Sequence, residues 1–456
     1  MAINSVHLIS VLCQNKPTFA ATNRKQRIIK DGYMRKRILL LMLSALPAAV
    51  LAQTLEECQQ AAEKNYPVIR KYDLIAQTTH LTVSNLQKGW LPQISASAQA
   101  TYQSDVAAWP ENMQGMFRQM GFKMKGLTKD QYKVGVDLRQ TIYDGGVISS
   151  RSRIARQEGK VQKAQNEVEL YQVRRRVNEM YFSILLVDEQ ISLNDDVMAL
   201  LLSSEKKLSA MVKGGTASTS DFENVKAERL NAEQQNTSLK AQRQMLRRML
   251  SAFCGIEVGS LRKPDVLESV ATGNNRPELR LFDSQLRLSV EQERALDTQL
   301  RPKLAFFAQG YYGYPGFNMF EDMMRHRWSL NGIIGVKLSW NIGALYTRKN
   351  DREKLKLERE LIENAREVFL FNNHVEQIQQ TENISRYRTM MQNDSEIIGL
   401  RTRVRKAAES KLAHGIIDVN SLLREINNEN AAKTQQAIHE IELLKEMYDL
   451  RYTSNE

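Results

Sequence analysis

The sequence predicts an α+β membrane protein in which four strands that cross a membrane are joined to long coiled-coil helices, the whole written twice along one chain. Three observations carry that expectation. The first is the rarity of helix breakers. Among 456 residues there are nine prolines, none between Pro110 and Pro264 and none after Pro315, so the helices can run far beyond the usual length of about 11–12 residues. The second is alternation. "GWLPQISASAQATYQSD" sets Ile94, Ala96, Ala98, Ala100 and Tyr102 against Gln93, Ser95, Ser97, Gln99 and Thr101. The third is an internal repeat.

The chain begins with residues that belong to neither pattern. "MRKRILLLMLSALPAAVLA" at 34–52 has a basic start, an apolar run and a small-residue end. It reads as a secretory signal peptide, too short for a permanent span. Residues 1–33 have no pattern of their own and read as an upstream extension, with translation starting at Met34 and Gln53 as the first mature residue. The formal charge of +12 shrinks accordingly, because residues 1–52 carry a net +7 and the rest +5. The remaining basic runs, such as Arg174-Arg175-Arg176, read as solvated helix faces, and no nucleic-acid motif accompanies them. Cys58 and Cys254 lack metal-site spacing and read as free thiols, although export would permit a disulfide.

The first repeat is expected over 53–270 and the second over 271–456. Residues 65–92 align with 275–302 at an offset of 210, sharing Asn, Pro, Arg, Asp, Leu and a final Pro. "GVDLRQTI" at 135–142 aligns with "GVKLSWNI" at 335–342 at an offset of 200, as does Gly215 with Gly415. Each copy reads helix, strand, loop, strand, long helix, tight turn, return helix.

The strands are expected at 91–104, 131–143, 302–314 and 331–343. Their apolar faces would meet lipid through Ile94, Ala98, Val136, Leu138, Val336 and Leu338, and the polar faces would line water. Trp90, Tyr102, Tyr143, Tyr312 and Trp340 lie near strand ends, where aromatic girdles sit. An ordinary soluble sheet packed on helices explains the alternation, but not the export signal or the aromatic ends. Four strands cannot close a pore, and an open edge in lipid strands backbone groups at several kcal/mol each. The chain must therefore share a barrel with copies of itself.

The long helices are expected at 147–213 and 344–414, each about 100 Å long at about 1.5 Å per residue. Return helices follow at 217–253 and 418–452. Apolar residues recur at three- and four-residue steps, as in Val161, Ala164 and Val168, the seam of coiled-coil packing.

Several stretches together carry a family resemblance: "TLEECQQAAEKNYPVIR", "GWLPQISASAQATY", "VDLRQTIYDGG", "VRRRVNEMYFSILLVDEQISL" and "GGTASTSDFENVKAERLNAE". In this order the chain resembles the TolC-like outer membrane efflux protein family. The resemblance implies a homotrimer, with a twelve-stranded barrel continued by a long helical tunnel across the periplasm of a Gram-negative bacterium. It also implies a passive duct that docks, through a periplasmic adaptor protein, onto an inner-membrane transporter of RND or ABC type.

The turns then form the periplasmic tip and adaptor contact, with Gly214, Gly215, Thr216, Asp221, Gly415, Ile416 and Asp418. The family's acid after the first tip glycine is present as Asp221, while Ser421 stands at the matching place in the second turn. Leu412 and Ile417 occupy the places of a tyrosine and an arginine that latch the best-known member. They are candidates for an apolar gate with Asp221 beside it, or for ordinary seam residues. Asp418 can equally be read as a helix cap.

Other chemistry is sparse. No nucleophile elbow, phosphate loop, paired carboxylates or histidine ligand spacing occurs, so neither an enzyme nor a cofactor or metal site is expected. Met113, Met116, Met120 and Met124 form a stripe that would pack a loop or, less simply, bind Cu(I). The rival to the duct is an exported coiled-coil scaffold without a pore.

Overall fold

In a computed structural model the protein is described over residues 52–123, 126–267 and 273–455. The expected extension 1–33, the signal segment save Ala52, the repeat boundary at 270/271 and Met124 lie outside these residues.

Helix α1 (Leu55–Asn65) opens on a reciprocal cap. Thr54 Oγ1 accepts from the Glu57 N–H at 3.2 Å, and Glu57 accepts from the Thr54 N–H at 2.9 Å. A 3-10 turn at Pro67–Arg70 leads into α2 (Lys71–Gln87), and another turn at Lys88–Trp90 leads to β1 (Gln93–Tyr102). A loop carrying α3 (Glu111–Gln119) connects to β2 (Asp130–Tyr143). Then come the 67-residue α4 (Val147–Lys213) and α5 (Thr219–Cys254). The order recurs as α6 (Pro277–Gln299), β3 (Lys303–Tyr314), α7 (Met319–Arg325), β4 (Ser329–Ser339), the 70-residue α8 (Ala344–Ala413) and α9 (Val419–Ser454).

The four strands form one antiparallel sheet in the order β1-β2-β3-β4. The fourth strand is shorter than expected, ending at Ser339 rather than 343. Its last rung pairs Ser339 with Lys303, and β3 cannot extend the ladder backwards because Pro302 offers no N–H. Beyond that rung the Trp340 indole donates to the Leu300 carbonyl at 2.8 Å. The first repeat does the same thing at the matching place, where the Gln140 amide donates to the Trp90 carbonyl.

The main core lies where α1, α4, α5 and α9 converge. Leu55, Cys58, Val177, Tyr181, Ile184, Leu250, Ile441 and Leu444 are buried there. Each large side chain so buried contributes about 1.5–3 kcal/mol. The Tyr181 hydroxyl reaches the carbonyls of Gln53 and Arg262, anchoring the segment before α1. Cys58 and Cys254 are both free and buried in this core. Gly159 lets α2 approach α4, since a Cβ there would stand 2.4 Å from Thr79 Oγ1.

Several members of the basic runs on the helices are ion-paired. Arg174 meets Glu63, Arg175 meets Glu179 and Glu376, and Arg405 meets Glu409 and Glu429.

Candidate functional site

Two regions answer to the sequence expectations: the sheet, and the turns at the far end of the long helices. In the sheet, residues directly opposite one another share a face. One row reads Ile94, Leu138, Ala308, Ile334, and the next reads Ala98, Val134, Tyr312, Leu330. Phe306 lies opposite Val336, and Leu304 opposite Leu338. All six residues expected on the apolar face therefore fall on one face. Ile94, Val136, Val336 and Leu338 are at least half exposed, at 69%, 50%, 61% and 68%. Ala98 is exposed and Leu138 partly so. An apolar surface of this extent, on a sheet that no helix covers among the described residues, is what a membrane-facing patch requires.

Aromatic side chains stand at both ends of that face. Tyr102, Tyr132 and Tyr312 lie at the loop end, where Trp328 stacks on Tyr132 at 6.0 Å and meets Tyr312 at 5.4 Å. Trp90, Tyr143 and Trp340 lie at the helix end and are exposed. A bulge between Thr141 and Tyr143 turns Tyr143 onto the apolar face, opposite Leu304. Along β2 the two aromatic levels are about 36 Å apart, or about 28 Å in height at a tilt of about 40°. That is close to the roughly 25 Å apolar band of outer-membrane barrels.

The opposite face carries Gln93, Ser95, Ser97 and Gln99, with Lys133, Asp137 and Arg139 beside them and Lys337 on β4. Two aromatics interrupt it, each opposite a glycine. Phe307 faces Gly335, where a Cβ would stand 2.9 Å from the ring, and Tyr311 faces Gly135, where a Cβ would stand 2.9 Å from the Tyr311 Cβ and from the Gly310 carbonyl oxygen. Gly335 makes room for a ring, and Gly135 for the close approach of β3 itself. Strand β3 was the hardest to read because Phe306-Phe307 and Tyr311-Tyr312 place aromatics on both faces in succession. Leu304 and Phe306 were missed for that reason. The only signal for them is the repeat, whose offset of 210 matches them with Ile94 and Ala96.

The strand-connecting loops pack on each other. Leu127, Tyr314 and Met323 are buried together, with Val106 and Trp109 against them. Met116 and Met120 remain exposed. Among the described residues no group of three or more His, Cys, Asp or Glu could hold a metal ion.

At the other end, α4 and α8 stop in the same way. The Thr216 N–H bonds back to the Met211 carbonyl at 2.9 Å and the Gly215 N–H to Val212 at 3.0 Å. Ile416 and Gly415 repeat this onto Lys411 and Leu412, each at 2.9 Å. Both are Schellman motifs, and both need a left-handed residue, supplied by Gly215 (φ 76°) and Gly415 (φ 70°).

The return helices then open on caps with exchanged residue types. Ser218 caps α5 while Asp221 answers it: Ser218 Oγ accepts from the Asp221 N–H at 3.1 Å and donates to the Asp221 carboxylate at 2.7 Å. Asp418 caps α9, accepting from the Ser421 N–H at 2.9 Å. The hydroxyl and N–H of Ser421 hold the Asp418 carboxyl below its ordinary value. Gly214, Thr216 and Ile416 are exposed, whereas Leu412 and Ile417 are half-buried against Leu208, Val419, Leu422 and Ile426 of the same chain.

Residues 59–255 match a family model described as outer membrane efflux protein. Over that segment, 197 of the chain's 456 residues, the chain is similar to the outer membrane efflux protein family. Solved structures share the fold. The outer-membrane channel OprN superposes with a TM-score of 0.64 at 12% identity, covering 88% of this chain and 89% of that one. The CmeC outer membrane channel of Campylobacter jejuni gives 0.63 at 13%, with 88% and 85% covered. The MtrE outer membrane channel of Neisseria gonorrhoeae, in its open state, gives 0.59 at 13%, with 88% of each chain covered. No curated protein sequence matches the chain. Among the described residues no helix is long and apolar enough to cross a membrane.

Proposed function

We propose that the protein is the outer-membrane exit duct of an efflux or type I secretion system, three copies closing a twelve-stranded barrel above a helical tunnel. The observation that carries the reading is the sheet: one continuous exposed apolar face, aromatic residues at both its ends, and a polar opposite face. Its two edge strands, β1 and β4, are exposed on both faces, and in lipid their free N–H and C=O groups require partners. A second and third copy supply them.

In this reading Ile94, Ala98, Val136, Leu138, Val336 and Leu338 meet lipid, and Trp90, Tyr102, Tyr143, Tyr312 and Trp340 mark the interfaces. The long helices cross the periplasm. The exposed turns at Gly214-Gly215-Thr216 and Gly415-Ile416, with Asp221 and Asp418 in their caps, meet a periplasmic adaptor, and an inner-membrane transporter of RND or ABC type supplies the energy. The packing of Leu412 and Ile417 inside one chain supports a seam role over a gate. A pore-less scaffold has no use for the exposed apolar sheet.

The test is fractionation followed by planar-bilayer recording. The duct reading expects the protein in outer membranes, a trimer in detergent and discrete conductance steps. Release by salt as a monomer without conductance supports the scaffold instead.

A further inference from the structure

The polar face of the sheet carries a charge imbalance. The pairing of the strands puts Lys133, Asp137 and Arg139 of β2, Lys303 of β3 and Lys337 of β4 on that face. Asp137 is the one carboxylate there, against four cations. Strand β1 adds no charge of either sign, since QISASAQATY holds none. Among the described residues, none of the four cations is ion-paired with a carboxylate of its own chain.

Three of the cations are also gathered together. Lys303 opens β3, Lys337 lies opposite Ala305, and Arg139 lies opposite Phe307. These are three successive rungs of the polar face, at the helix end of the sheet. From Lys303 to Phe307 they cover about 13 Å along the strand. All three side chains are exposed. Lys133 stands apart, towards the loop end, with its ammonium 5.1 Å from the centre of the Tyr311 ring.

We infer that Arg139, Lys303 and Lys337 form a cationic collar where the barrel opens into the tunnel, and that this collar selects anionic solutes for passage. The inference rests on the exit-duct reading and adds the charge class of what passes.

Three copies place nine cations and three carboxylates in one collar. Because β1 is uncharged, the way in which the copies meet does not alter that balance. The width of the bore decides whether the charge matters to a solute at its centre. Twelve strands about 4.8 Å apart and tilted by about 40° set a backbone radius of about 12 Å, which side chains narrow further. At 0.1 M salt the screening length is about 10 Å, so the field of the wall reaches the axis. It draws anions into the bore and opposes cations. At 1 M the screening length is about 3 Å, and the axis is shielded. Arg139 adds a planar fork that matches a carboxylate or phosphate group. Phe307, directly opposite, offers a ring to the apolar part of the same molecule. The solute that fits both is an organic anion.

The test is the reversal potential of purified trimer in a planar bilayer under a KCl gradient. Near 0.1 M salt the chloride-to-potassium permeability ratio should exceed about 2, and near 1 M it should fall towards unity. Replacing the collar by Arg139→Gln, Lys303→Gln and Lys337→Gln together should bring the ratio close to unity at the lower salt as well. Asp137→Asn should raise it. Should the triple variant fail to assemble, Lys337→Cys can be modified in the finished channel, since Cys58 and Cys254 are buried. A thiol reagent carrying a sulfonate should then lower the ratio, and one carrying a quaternary ammonium should restore it.

Discrete conductance steps with a wild-type ratio at or below unity overturn the collar and leave the duct standing. So does a ratio that the triple variant leaves unchanged, and so do equal effects of the two reagents, which report bulk rather than charge. Wild-type protein without conductance steps overturns the duct and the collar with it.

Discussion

Asp449 offers a prediction with a sign and a size. It lies on α9, where burial against the core pushes its carboxyl up to about 6, despite Lys445 nearby and the Asn178 amide at 3.4 Å. From an ordinary value of 3.8 that is a rise of about two units, worth about 3 kcal/mol. A carboxyl raised by folding stabilises the fold only while protonated. Its contribution is therefore complete below about pH 4 and is lost as pH rises through about 6. At neutral pH the native state carries a desolvated charge. Asp449→Asn keeps the shape and an oxygen for the Asn178 amide while removing that charge. The variant should unfold at a higher temperature than wild type at pH 7.5, by up to about 3 kcal/mol, with the gain shrinking towards zero at pH 4.5. Thermal unfolding of detergent-solubilised protein, followed by far-UV circular dichroism across this range, measures it. A variant destabilised at pH 7.5, or a difference that does not change with pH, would refute the desolvation argument.

Val136→Arg should impair membrane insertion, because a midplane arginine on the lipid face of such barrels costs about 2–4 kcal/mol; Arg139→Val, on the other face, should insert normally, and heat-modifiability on gels separates the two. Gly215→Val and Gly415→Val meet no neighbouring atoms, so the cost is backbone strain alone, about 1–3 kcal/mol, which protease susceptibility at the turns should reveal while the sheet end stays protected. Asp418→Ala should lose a cap worth about 1 kcal/mol, and Asp418→Ser should restore most of it; equal loss in both, measured by hydrogen exchange in the first turn of α9, counts against the cap. Mass spectrometry of the outer-membrane form should find an N-terminus at or near Gln53; an intact Met1 there sinks the export reading.

The sequence was most legible where one physical rule acts alone. Long helices showed because nothing breaks them: the first was expected at 147–213 and runs Val147–Lys213. Strands β1, β2 and β4 showed through strict alternation. Strand β3 was harder, because its polar face holds Phe307 and Tyr311 over glycines on neighbouring strands. That arrangement depends on partners 28 and 176 residues away in the sequence, and no local pattern can announce it. The strand ends were off where a tertiary hydrogen bond decides them, as Trp340 to Leu300 does for β4. Tip residues could be located by their glycines, but not their orientation. Whether Leu412 points to an axis or into its own helix pair depends on the placement of α9, which periodicity does not report.

The tip also shows how duplication constrains function. Position for position, Ser218 and Asp221 in the first turn become Asp418 and Ser421 in the second. Read from sequence alone, Ser421 looked like the loss of an acid. In the fold each turn keeps one serine and one aspartate joined across the same helix start, so both caps persist with their roles exchanged. The helix geometry at the two turns is therefore nearly the same, while the carboxylate moves by three residues, about 4.5 Å along the helix. Three copies would then present six similar turns carrying two alternating patterns of charge. A partner that must tell the two turns apart has backbone shape in common between them and the position of the carboxylate as a difference. Exchanging the pair in one turn, Ser218→Asp with Asp221→Ser, makes that turn's cap like the other without changing composition. Stability should stay within about 0.5 kcal/mol of wild type, since serine and aspartate are near equals at a cap, and conductance should be unchanged. Adaptor affinity should fall if the partner reads the carboxylate position, and binding of the adaptor to purified trimer measures it. Unchanged affinity with an unchanged fold would mean that the turns are recognised by shape alone.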